Sequence, residues 1–177
     1  TLQLSMCRTI AVGKPTLSAD GIKKLKNIEF DLFEMDSVYF FKKIDFLNLY
    51  QKSVDLAFID GAHICETALT EFLHIEKIAR HDSIIVLHDC LPLEVGITGR
   101  DATRAAPRNP KRRDWWLGDV WRTALYLKRH RPDLVMRAYG ARPSGLICIT
   151  GLDPTHRFTK ADIDRAKAEM LLSLIHI

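Results

Sequence analysis

Two short apolar runs in the chain each stop at a cluster of polar residues. Leu56-Ala-Phe-Ile59 leads into Asp60-Gly-Ala-His63, and Ile84-Ile-Val-Leu87 leads into His88-Asp89. Unbroken apolar runs of this length, bounded by polar residues, predict strands buried on both faces. The intervening segment, from Ile64 to Arg80, places Ile64, Ala68, Phe72, Ile75 and Ala79 at the three-and-four spacing of one buried helical face. Two consecutive buried strands joined by a helix lie parallel, so their carboxyl ends open on the same edge of the sheet. Open α/β sheets bind ligands at that edge. Asp60, His63, His88 and Asp89 are therefore expected to share one crevice.

The same reading carries along the rest of the chain. Arg8–Val12 and Glu29–Met35 predict strands, with a helix over Ser18–Lys26 and partly helical structure over Asp36–Leu47. Asp119–Arg129 predicts a helix with Val120, Ala124, Leu125 and Leu127 inward. Leu134–Ala138 and Leu146–Thr150 predict closing strands around a turn at Pro143-Ser-Gly145. A last helix is expected over Thr159–Met170, capped by Thr159 with Asp162 three residues on. Alternation of this kind means an α/β fold with a mainly parallel sheet.

Composition narrows the class without naming a function. At 177 residues and 47% hydrophobic content, the chain can bury one ordinary core. Residues 1–171 read as a single α/β domain. The apolar tail 172–177, after a charged helix, reads as non-native. A net charge of +4 is too weak to argue for specific nucleic-acid binding. The four cysteines, at 7, 65, 90 and 148, form no CxxC pair, so a reduced, cytoplasmic compartment is the simplest expectation. No apolar run is long enough to span a bilayer, and no membrane partner is expected. Oligomeric state is not legible.

The residue types in the crevice leave two chemistries open. Asp60 and Asp89 at neighbouring strand ends offer oxygen donors, and His88 adds a nitrogen, so Asp60, His88 and Asp89 are candidate ligands for a magnesium-like ion. Such an ion lowers the pKa of an attacking oxygen. The metal-free alternative takes His63 or His88 as general base, since imidazole titrates near neutrality. A structural alternative is that Asp60 caps the next helix and the histidines bond loop backbone.

Beyond Asp89 lies a basic stretch, Arg100, Arg104, Arg108, Lys111, Arg112 and Arg113, followed by Trp115-Trp116. Its prolines argue against a helix. A loop there sits over the crevice, and Arg100, Trp116 and Asp119 are the candidates for substrate contact, against the alternative of a solvated loop anchored by its tryptophans. Cys90 has no base and orienter in the sequence pattern and reads as a small buried thiol.

From about Glu29 to Pro154 the chain resembles class I S-adenosylmethionine-dependent methyltransferases of the branch called methyltransferase family 24. The resemblance rests on a strand ending in FIDGAH (58–63), a helix, and a strand ending in HD (88–89). It is carried further by WWLGDVWRTALYLKRHRPDL (115–134) and PSGLICITGLDP (143–154). It implies a Rossmann-like sheet in which the strands at Arg8–Val12, Glu29–Met35, Leu56–Ile59 and Ile84–Leu87 are the family's second to fifth, and the last two form an antiparallel pair. It also implies S-adenosylmethionine as cofactor, with Asp36 and Ser37 beside the adenine and Asp60 as a further cofactor contact.

Two features depart from the family's pattern. There is no GxGxG, and after the first predicted strand Val12-Gly-Lys-Pro15 stands where the family has an acidic residue for the ribose. The chain is accordingly expected to be a fragment whose first strand is missing and which is inactive alone. The expected function is methylation of an oxygen or nitrogen on a small molecule or glycan. The alternatives are a metal-dependent hydroxylase or hydrolase on the same scaffold, and a non-catalytic interaction domain.

Overall fold

A computed structural model of the chain describes residues 9–13, 30–112, 115–142 and 144–172. They fall into two compact units, one ending at Asp45 and one beginning at Phe46. The expected helix over 18–26 lies outside the described residues.

In the first unit, β1 (Thr9–Val12) and β2 (Phe30–Phe33) run parallel with Thr9 opposite Phe30 and Val12 opposite Phe33. Helix α1 (Ser37–Lys43) follows, and the Asp36 side chain accepts from the Tyr39 N–H at 2.9 Å to satisfy one of its open donors. Phe40 is buried and meets Phe33 edge-on at 4.9 Å.

The second unit begins with the short helix α2 (Phe46–Tyr50) and the strand β3 (Val54–Ile59). Helix α3 (Cys65–Ile78) crosses to β4 (Ala79–His88), which pairs parallel with β3 as expected. Strand β4 begins well before the apolar run at Ile84. Arg80, His81 and Asp82 are exposed, so their polarity hid the extension from a reading based on apolar runs. The register shifts between Val54 and Leu56, and there the Ser83 hydroxyl donates to the Val54 carbonyl (2.7 Å) and accepts from the Arg80 N–H (2.8 Å).

Helix α4 (Trp121–His130), β5 (Val135–Tyr139), β6 (Leu146–Thr150) and α5 (Lys160–Leu172) complete the unit. The sheet order is β3-β4-β6-β5, with β6 antiparallel to both neighbours. The parallel strands and the closing antiparallel pair are those anticipated. Thr159 and Asp162 cap α5 reciprocally: the Asp162 N–H donates to the Thr159 hydroxyl, and Asp162 accepts from the Thr159 N–H.

Two core assignments need correction. Leu56 and Phe58 are 64% and 58% exposed, so β3, an end strand of its sheet expected to be buried on both faces, is covered on only one among the described residues. Leu125 is 58% exposed, whereas Val120, Thr123, Ala124 and Leu127 are buried. A stripe at three-and-four spacing through 120, 123, 124 and 127 leaves position 125 on the opposite side of the helix.

Register aims the site. Ile59 lies opposite Leu87, so Asp60 and His88 leave the sheet side by side. On the other flank His88 pairs with Leu146, which brings the turn before β6 against Asp89.

Candidate active site

The crevice is built on two left-handed backbones. His63 has φ 54° and Asp89 φ 58°, positions that cost a non-glycine residue energy and that are held by their surroundings. Asp60 Oδ1 receives both imidazoles, His88 Nδ1 at 3.0 Å and His63 Nε2 at 3.2 Å. Asp89, buried, reaches His63 Nε2 with Oδ2 at 3.3 Å and His88 Nδ1 with Oδ1 at 3.2 Å. The hydroxyl of Ser144 donates to Asp89 Oδ1 and lies 3.5 Å from His88 Nε2.

These contacts fix the rings. His63 Nδ1 lies 3.1 Å from the Trp116 carbonyl, which only accepts, so Nδ1 carries a proton. Its Nε2 faces carboxylate oxygens of Asp60 and Asp89, which also only accept when ionised. His63 is therefore favoured as an imidazolium. The hydrogen bond from Asp60 raises its pKa above the ordinary 6.5, burial opposes this, and Asp89 adds to the rise. Reciprocally, the bond to His63 holds the Asp60 carboxyl below its usual range against the desolvation that pushes it up. In His88 the carboxylates face Nδ1, which assigns the proton there and leaves Nε2, toward Ser144, as the ring nitrogen able to accept one.

Asp60 Oδ1, His63 Nε2 and Asp89 Oδ2 point at common ground: one ligand atom from each lies within 4.8 Å of the others. The set differs from the expected one in that His63 supplies the nitrogen in place of His88. A crevice lined by Ile59, Asp60, Gly61, His63, Glu71 and His88 runs beneath. Trp116 stacks on the His63 ring at 5.2 Å, and Phe58 lies 5.8 Å from the His88 ring.

The expected substrate contacts have other places. Asp119 is wholly buried, its Oδ1 accepting from the Cys65 N–H at 2.8 Å and its Oδ2 from Arg100 at 2.8 Å. No substrate reaches it in this arrangement. Arg100 spreads its fork over Glu66 at 2.8 and 3.1 Å as well. Trp116, half-buried, donates its indole N–H to the Gly99 carbonyl at 2.6 Å. The segment around Arg100 holds three single 3-10 turns, Val95–Ile97, Ala102–Arg104 and Pro110–Arg112, and no α-helix among its described residues.

Cys90 is buried, and burial, with Asp89 adding to it, pushes its thiol up to about 12, which suits a structural rather than a nucleophilic cysteine. Asp36 and Ser37 belong to the first unit, where Asp36 serves as the cap of α1. Sequence reasoning missed Ser144 and Glu66. Ser144 sits one residue after Pro143 in the turn whose strand flanks His88, so only the strand order would have shown it.

Residues 17–90 match the model of a family described as a methyltransferase domain. That segment ends one residue past Asp89, so it takes in Asp36, Ser37, Asp60, His63 and His88. No curated protein matches the chain. Among solved structures, the chain is similar to the SAH-bound methyltransferase PaMTH1 of Podospora anserina, with a TM-score of 0.54 and 18% identity. The likeness covers 82% of this chain and 60% of that one. In fold, and over residues 17–90 in sequence, the chain is similar to class I S-adenosylmethionine-dependent methyltransferases.

Proposed function

We propose that the chain carries the acceptor side of a methyl-transfer site that uses S-adenosylmethionine, with a small molecule or glycan as acceptor. The match to a methyltransferase domain over 17–90 carries this reading, because it covers both strand ends that form the crevice. The protein of similar fold is SAH-bound, which supports the same cofactor. Asp60, exposed at the end of β3, is the polar group that the second unit offers to it.

Methyl transfer is a displacement at carbon in which the acceptor atom attacks and the sulfonium leaves, so the protein's task is mainly to position the two. An acceptor hydroxyl or amine must also lose a proton. His88 Nε2 is the nitrogen placed to take it, with Nδ1–H steadied by Asp60 and Asp89. His63, bearing protons on both nitrogens, acts as a fixed positive charge that offsets the two carboxylates and holds them in place around His88.

A second reading is favoured by the spacing of Asp60 Oδ1, His63 Nε2 and Asp89 Oδ2. A divalent cation fits that donor set once Nε2 has lost its proton. The Nδ1–H bond to the Trp116 carbonyl orients the ring as metal-ligating histidines are oriented. Bound there, such an ion supplies Lewis acidity toward an acceptor oxygen. On this reading His88 still holds the proton-accepting nitrogen. The two carboxylates and an ion without a sulfonium cofactor would serve a hydroxylase or hydrolase instead.

Calorimetric titration of the full-length protein that carries these residues with S-adenosylhomocysteine, with and without magnesium, tests the reading. Binding in either condition is expected. No heat in both conditions removes the methyltransferase reading. Heat from magnesium alone turns the site toward metal-dependent chemistry.

A further inference from the structure

We propose that Arg100 and Asp119 are positioning residues for His63, tied to it through a closed circuit of contacts. The catalytic consequence rests on the methyl-transfer reading above; the circuit itself does not.

His63 holds a left-handed backbone, and what keeps it there comes from residues 116–119. The Asp119 N–H donates to the His63 carbonyl at 3.0 Å. Gly118 packs so closely that a Cβ on it would fall 1.8 Å from that same oxygen, and its own φ is +61°. The Trp116 carbonyl takes the Nδ1 proton, and its indole covers the ring.

Residues 116–119 are themselves fastened at two points. One is the Asp119 carboxylate. Ile64 stands at the N-cap of helix α3 and supplies no side-chain cap, and Asp119 Oδ1 accepts the Cys65 N–H from 54 positions away. Its other oxygen holds Arg100, and Arg100 also forks onto Glu66 in the first turn of α3. The second point is the Gly99 carbonyl, adjacent to Arg100, which receives the Trp116 indole N–H. The circuit thus runs from His63 to Trp116, to Gly99 and Arg100, to Glu66 and Asp119, and back to the His63 carbonyl.

The arrangement argues against an acceptor contact for either residue. Asp119 is 0% exposed, and Arg100 Nη1 and Nη2 both already donate to carboxylates. Without the guanidinium, Asp119 would be a buried charge facing the Cys65 N–H, the weak Cys65 thiol donor at 3.5 Å and, at 3.9 Å, Arg122. Relief of that charge means movement of residues 116–119, and His63 moves with them. Displacement of a reacting constellation by about an ångström costs on the order of a hundredfold in rate.

Arg100→Gln, Asp119→Asn and Glu66→Gln separate this role from others. Asp119→Asn keeps an oxygen for the Cys65 N–H while removing the charge that holds Arg100. Glu66→Gln weakens only the fork and serves if Arg100→Gln fails to fold. The first readout is the long-range proton–nitrogen NMR spectrum of the His63 ring, assigned with His63→Gln. It needs no substrate. The expected result is loss or displacement of the His63 Nδ1–H signal in all folded variants, with less effect in Arg100→Lys. The second is turnover, expected to fall on the order of tenfold to a hundredfold with S-adenosylhomocysteine affinity unchanged. An unmoved His63 ring in folded variants overturns the proposal. So does a rise in acceptor KM at unchanged kcat, which would make Arg100 an acceptor contact. Absence of S-adenosylhomocysteine binding by the unaltered protein instead counts against the methyl-transfer reading and leaves the NMR comparison to decide the circuit.

Discussion

His63 Nε2 lies 3.3 Å from Asp89 Oδ2, and the two residues share a left-handed backbone at the ends of neighbouring elements. Such a backbone costs an L-residue about 1–2 kcal/mol, and glycine is spared the cost. His63→Gly is accordingly expected to be more stable than His63→Ala by about 1 kcal/mol. Urea denaturation of the pair measures this. The opposite order would show that His63 is not held at positive φ.

Of His63 and His88, His88 is the one with a ring nitrogen that faces neither a carboxylate nor a backbone carbonyl, since Asp60 and Asp89 both meet Nδ1 and Ser144 stands 3.5 Å from Nε2. His88→Gln retains a polar side chain of similar reach but no base. On the methyl-transfer reading, turnover is expected to drop by about 10²–10⁴, the usual worth of general base catalysis, while S-adenosylhomocysteine binding persists. Turnover retained in His88→Gln but lost in His63→Gln would exchange the two roles.

The convergence of Asp60, His63, His88 and Asp89 was legible because strand ends are set by apolar runs, and two runs separated by one helix lie parallel. The two closing strands were legible from the same alternation and from the turn between them, and their antiparallel pairing was implied by the family resemblance. What escaped were contacts made from far along the chain. Asp119 reads locally as the start of a helix, yet its carboxylate serves the first turn of a different helix, at Cys65. Arg100 reads as one of several loop cations, and nothing local marks it as the one that finds two carboxylates. Ser144 reads as a turn residue. Its access to Asp89 depends on β6 lying beside β4, a choice of neighbour that periodicity does not encode.

Acid and base titrations bear on stability in opposite directions. Asp60 is held low by His63, Asp133 by Arg131 and Glu169 by His130, each against some desolvation. A carboxylate whose folded pKa is depressed stabilises the fold above its unfolded value, here 3.8 for aspartate and 4.5 for glutamate, and loses that contribution as pH falls through the folded value. His63 is raised, so its contribution is complete below 6.5 and fades as pH climbs through its folded pKa. Stability is expected to be greatest between these limits and to fall on both sides. Urea midpoints across the pH range check this, and His63→Gln should remove the decline on the alkaline side of 6.5 but not the acid one.

Glu76 and Arg131 form a buried ion pair in the second unit. Their side chains are 3% and 2% exposed, and Arg131 Nη1 and Nη2 meet the two carboxylate oxygens at 2.9 and 2.7 Å. Glu76 also accepts the Asp153 N–H at 3.2 Å, so it links α3, the end of α4 and the loop after β6. Removing one partner of such a pair leaves a buried charge and typically costs about 3–5 kcal/mol. Glu76→Ala is expected to lower the melting temperature by roughly 6–20 °C, from the shift per kcal/mol of a domain this size. Asp133→Ala, which takes a half-exposed carboxylate from the same guanidinium, is expected to cost about 1 kcal/mol or less. Equal losses in the two variants would mean that the Glu76 pair is not insulated from solvent. A smaller loss in Glu76→Ala would mean that Asp133 alone can satisfy Arg131.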